Sequence, residues 1–66
     1  MSYDDLKEII VSFCSLEYRS TEEIAKHINR AEKYLKNNIL PRMILEEKLF
    51  RLYTDNHPNQ KYISKK

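Results

Sequence analysis

The stretch STEEIAKHINRAEKYLKNNILPRMILEEKLF, residues 20–50, decides how this chain folds. Ile24, Ala25 and Ile28 share one helical face, and Asn29 follows where the chain must reverse. A second periodic run opens at Ala31. Two helices joined by a short turn need a small residue where they cross and a residue tolerant of positive φ in the turn. Ala25 and Asn29, four apart, meet those needs. Ile24, Ile28 and Leu35 supply the flanking apolar positions. Arg30 stands where an apolar residue is usual, and Asn38 where a late Ile or Val is usual, a place Ile39 can fill. The pattern predicts a helix-turn-helix over residues 20–39.

Working outward, Ser20 and Glu23 form a capping box. The hydroxyl accepts from the third amide of the helix, and the carboxylate reaches back to the cap amide. The second helix is predicted over about 21–28. A third starts near Ala31 and carries Leu35 inward. Asn37 and Asn38 are poor interior helix residues, and Pro41 biases Leu40 away from the α region. These predict a break around 38–40, which leaves helix three about two turns long. Pro41 then opens a short helical turn over 41–46. Leu40, Met43 and Ile44 are predicted to close the core.

Before this stretch, Leu6, Ile9, Ile10 and Phe13 recur at i, i+3, i+4 and i+7, the stripe of an amphipathic helix. Ser2 caps its start, and Asp4 and Asp5 suit the positive end of its dipole. Cys14 extends the apolar side as a buried, unreactive thiol, with no His or basic residue close in sequence to activate it. Residues 17–19 form an extended connector able to supply a minor strand. After the stretch, residues 49–53 (LFRLY) read as a strand, 54–60 (TDNHPNQ) as a loop and 61–64 (KYIS) as a second strand. Lys65 and Lys66 are expected to fray. Helix, helix-turn-helix and a C-terminal antiparallel hairpin over 49–64 make an α+β winged helix-turn-helix: a three-helix core with the hairpin loop as its wing.

Size and composition narrow the function. A chain of 66 residues makes one domain with a minimal core, because so small a domain buries only about 60% of its unfolded surface. A deep substrate cavity does not fit in it, and a binding module is favoured over an enzyme. With 41% apolar and 33% charged residues the chain is globular. One cysteine excludes an internal disulfide and zinc sites built on paired cysteines. The setting expected is reducing and cytoplasmic. No run is long enough to span a membrane, and no signal peptide pattern opens the chain. His27 reads as a surface or packing residue. With His27 and His57 far apart and the carboxylates scattered, no catalytic arrangement, metal or cofactor is expected.

Charge is unevenly spread. Residues 1–25 hold two basic and six acidic side chains, a formal −4, whereas residues 26–66 hold ten basic and four acidic, a formal +6. That asymmetry points to a polyanion for the second part.

Several later runs sharpen the picture: Tyr34-Leu35, Ile39-Leu40-Pro41-Arg42-Met43, Glu46-Glu47-Lys48-Leu49 and Asn56-His57-Pro58-Asn59-Gln60-Lys61-Tyr62. Together they resemble the C-terminal winged-helix domain of transcriptional regulators related to RecG-like ATP-dependent DNA helicases. Members of that family carry a segment like YL…ILP.LLEEGKLE and a proline-containing loop ending NQKYR. The resemblance covers about residues 20–64. It implies a bacterial protein, a longer parent chain of which this is the C-terminal module, and a role in DNA binding. Glu47 stands where the family has a glycine that caps the last helix in the αL conformation. A Glu there either adopts αL at a cost of about 1 kcal/mol or lets the helix run on by one residue.

In a winged helix, helix three enters the major groove of double-stranded DNA and the wing reaches the backbone. Arg30, Lys33, Lys36 and Asn37, with Tyr34 between them, are the candidate contacts on helix three. Arg42 and the wing residues His57, Asn59 and Lys61 are candidates for phosphates. Lys and Arg neutralise phosphate, Arg reads guanine and Asn reads adenine. His57 can also serve to structure its own loop. Against this stand Glu32 within helix three and the low net charge of +2. The alternative is a protein-interaction or dimerisation module without DNA contact, docking on a second copy or on other domains of the parent chain. Tyr34, Tyr53 and Tyr62 would then form its patch.

Overall fold

A computed structural model describes residues 2–54 and 57–64. Both of its first helices begin with the same device. In α1 (Tyr3–Phe13) Ser2 accepts from the Asp5 amide while the Asp5 carboxylate takes the Ser2 amide, and in α2 (Thr21–Ile28) Ser20 and Glu23 do the same. The second box is the one expected. The first is a fuller version of the Ser2 cap. The chain leaves α2 through Asn29 in the αL conformation (φ 57°, ψ 50°), and the Arg30 amide reaches back to the Ala25 carbonyl at 3.0 Å. That closes the helix end as an αL cap does.

Helix three departs from expectation. The chain is α-helical over α3 (Glu32–Tyr34), π-helical over Leu35–Ile39, and α-helical again over α4 (Leu40–Leu45). These three pieces run on as one rod over residues 32–45. No break occurs at 38–40, and Leu40 keeps αR angles (φ −62°, ψ −44°) despite preceding Pro41. The reason lies in the hydrogen-bond register. The Leu40 amide bonds to Leu35 rather than to Lys36, so the turn before Pro41 is wider by one residue. A proline in a regular helix drives its ring into the carbonyl four residues back; the widened π turn moves that carbonyl aside. Helix three is therefore about four turns long, not two.

The rod ends at Glu47, which takes φ 61°, with the Lys48 amide on the Met43 carbonyl at 2.8 Å. Of the two outcomes open to a Glu in that place, the αL cap is the one adopted. The sheet that follows has three short strands, β1 (Arg19–Ser20), β2 (Phe50–Arg51) and β3 (Lys61–Ile63), in the order β1-β3-β2 and antiparallel throughout. Arg19 faces Tyr62 on one side of β3, and Phe50 faces Ile63 on the other. Both hairpin strands are shorter than the 49–53 and 61–64 expected.

Leu6, Ile10 and Cys14 from the first helix and its end, Ile24, Ala25 and Ile28 from α2, and Leu35, Ile39, Leu40 and Met43 from helix three bury against one another, with Leu49 and Tyr62 closing the sheet side. The carbonyls left over at the end of α1 are satisfied by the sheet. Ser64 donates from its hydroxyl to Val11 (2.7 Å) and from its amide to Cys14 (3.0 Å), and Arg19 Nε donates to Phe13 (3.2 Å). This element order and sheet topology make a winged helix-turn-helix. Asp55 and Asn56 of the loop, and the expected fraying at Lys65 and Lys66, lie outside the described residues.

Candidate nucleic-acid interface

A concave groove of about 750 Å³ lies between helix three and the wing. One wall is helix three, through Glu32, Lys36, Asn37, Leu40, Pro41 and Ile44. The other is the wing, from His57 to Tyr62, with Arg51, and the start of α2 (Ser20, Thr21, Glu22) forms the end. Five of the nine candidate contacts meet here: Lys36, Asn37, His57, Asn59 and Lys61. Lys36 and Lys61 stand on opposite walls, both exposed and neither in an ion pair among the described residues.

The wing is held in shape by side chains. Gln60 acts as a clasp: it accepts the Tyr53 amide at 2.8 Å and donates to the carbonyls of Tyr53 (2.8 Å) and Thr54 (2.9 Å). The Tyr53 ring stacks on the His57 imidazole at 4.0 Å. His57 Nδ1 accepts the Asn59 amide at 3.0 Å, so a neutral His57 carries its proton on Nε2 and has one N–H left to donate. His57 is thus a loop-structuring group in the groove wall, and its Nε2–H has no acceptor among the described residues. Asn59 contributes its backbone to the same lock.

The other four candidates lie elsewhere. Lys33 and Tyr34 are exposed on helix three but do not line the groove. Arg30 folds back to cap α2, donating to the carbonyls of Ile28 (3.4 Å) and Asn29 (3.1 Å). It borders a second, smaller concavity of about 410 Å³ beside Glu22, Lys26 and Glu32. Arg42 lies over the Tyr3 ring at 3.7 Å and pairs with Glu46 at 3.5 Å. Glu46 also accepts the Tyr3 hydroxyl at 2.8 Å and sits 3.7 Å from Lys7. The Tyr3 hydrogen bond, then Lys7 and Arg42, hold the Glu46 carboxyl below its ordinary range. Partial burial and that same hydrogen bond push Tyr3 up to about 12. Arg42 therefore fastens helix three to the start of α1.

Residue patterns missed the clasp made by Gln60 and the place of Glu22 on the groove's acidic lip; they marked Glu32 as the acidic residue of helix three and Tyr53 only as part of a tyrosine patch, not as the ring that stacks on His57. Gln60 sits in the NQKY run, but a side chain that mimics a strand partner is visible only once the hairpin is built. Tyr62 is buried (8% exposed) and leaves the tyrosine patch that the interaction reading invoked. His27 stacks on Phe13 at 4.0 Å. Cys14 is fully buried, and burial pushes its thiol up to about 11, far from a reactive thiolate at neutral pH. Among the described residues no three His, Cys, Asp or Glu side chains come together to hold a metal, and no helix is long and apolar enough to cross a membrane.

No family model matches the chain, and neither the curated proteins nor the solved structures compared with it give a match.

Proposed function

We propose that this domain binds double-stranded DNA, with helix three in the major groove and the wing against the backbone. The observation that carries the reading is the groove itself. Two lysines that make no ion pair among the described residues, Lys36 and Lys61, stand on opposite walls of it, with Asn37 and His57 alongside. Lysines neutralise phosphate and release counterions, and amide and imidazole donors position the duplex. The π turn supports the same reading, since such turns recur at functional sites. The RecG-like resemblance adds a context: the C-terminal module of a cytoplasmic bacterial transcriptional regulator, acting through binding rather than catalysis.

The test is a labelled duplex titrated at several salt concentrations. Binding in the micromolar range is expected at about 50 mM salt, weakening steeply as salt rises. The pair Lys36→Ala and Lys61→Ala should cut the slope of log affinity against log salt by roughly two while the circular dichroism spectrum stays unchanged. The protein-interaction reading has its own support in Leu16 and Leu45, 91% and 84% exposed. An intact domain that binds no duplex at low salt but self-associates independently of salt would establish that reading instead.

A further inference from the structure

Glu32 is the feature of helix three that sits worst with a polyanionic ligand. It opens α3, is exposed, lines the groove, and makes no ion pair among the described residues, not even with Lys36 four residues on. A free carboxylate that faces phosphates only weakens binding. A carboxylate that faces a base edge can accept from the N4 amino group of cytosine, the major-groove donor that Glu and Asp read. The first residues of a recognition helix are the ones that reach base edges, and Glu32 is the first residue of this one. Lys36 and Asn37 follow on the same groove wall, and their preferred partners are guanine and adenine.

We infer that Glu32 is a specificity-determining residue, which accepts a hydrogen bond from cytosine N4 in the major groove and repels phosphate in other registers. The inference rests on the DNA-binding reading and extends it from backbone-led attachment to selection of a cytosine-containing site. Glu32 lowers affinity for duplexes in general and restores it on those that place a cytosine opposite the start of helix three.

The experiment is selection from a random duplex library by the wild-type domain, Glu32→Ala and Glu32→Gln, followed by affinities for the selected and scrambled duplexes. Wild type should enrich cytosine at one position, with a preference of roughly tenfold or more over other bases there. Glu32→Ala should erase that preference alone and bind scrambled duplex more tightly. Glu32→Gln should move the preference at that position to adenine, whose N6 and N7 a glutamine reads. Unchanged enrichment in both variants, with wild type still binding duplex, overturns the role of Glu32 and leaves DNA binding standing. Failure of wild type to retain any duplex overturns both. Glu32 has no side-chain partner among the described residues, so its replacement leaves the fold intact, checked by the thermal melt.

Discussion

Glu47 holds a backbone conformation that an L-residue adopts at a cost of roughly 1–2 kcal/mol, in a chain that has no glycine. Glu47→Gly relieves that cost but adds freedom to the unfolded chain worth about 0.4–1 kcal/mol. The net expectation is a stabilisation of roughly 0.5–1 kcal/mol, read as a higher urea midpoint at unchanged m value, whereas Glu47→Ala should be near neutral. The cluster around Tyr3 makes a second residue-scale prediction. Glu46 is depressed in the folded state, so its stabilisation is complete above the ordinary carboxylate range and disappears as pH falls through the depressed value. Tyr3 and Cys14 are raised, to about 12 from 10.0 and to about 11 from 9.0. Their contributions are complete below the ordinary values and vanish as pH rises through the raised ones. Glu23, held down by its hydrogen bonds to Ser20 and by Arg19, adds to the acid side, so urea unfolding across pH should show an acid-side loss that Glu46→Gln reduces in part, and an alkaline loss above about pH 9 that Tyr3→Phe reduces.

At the scale of elements, the Ser20–Glu23 capping box, the Ser2 cap, the amphipathic stripe of α1 and the Asn29 turn were legible because each is written within a few adjacent residues. Ser20→Ala removes that box and should cost about 1 kcal/mol, measured by thermal melting. The Pro41 region was not legible in the same way. The local rules for Asn37, Asn38 and Pro41 all predict a break, and each is sound taken alone. What overrides them is burial of Leu35, Ile39, Leu40 and Met43 in one core, which rewards a continuous rod and is met by a shift in hydrogen-bond register. No side chain announces such a shift. The wing shows the same limit: its strands are short because Gln60 takes over pairing that the backbone ladder would otherwise make. Gln60→Ala should loosen the wing while sparing the core, seen as faster hydrogen exchange at the Tyr53 amide with little change in the melt.

At the scale of the whole molecule, a radius of gyration of 10.5 Å matches the ~11 Å of a compact chain this long. The charge asymmetry read from the sequence maps onto the fold in part. Arg19 and Arg42 are used within the structure, Arg19 on Phe13, Glu17 and Glu23, and Arg42 on Tyr3 and Glu46. All three acidic partners, Glu17 and Glu23 of Arg19 and Glu46 of Arg42, are close in sequence, yet the ring beneath Arg42 is that of Tyr3, at the far end of the chain. That distance is why Arg42 read as a free phosphate contact. Lys36 and Lys61 are exposed and in no ion pair among the described residues, because helix three and the wing present them to solvent. The groove is the result: mixed in charge, bounded by a rigid wall and a clasped wing.

The π turn also constrains how this helix can change through mutation. Helix three carries one residue more than an α-helix of the same reach would, so the turn amounts to an insertion that has been absorbed. Deleting Asn38 would restore a regular register and return the Pro41 ring to a clash worth about 3 kcal/mol or more. Pro41→Ala alone should be tolerated, and the deletion should be tolerated in that background. The two changes are epistatic, and the accessible path runs in one order, proline first and the additional residue second.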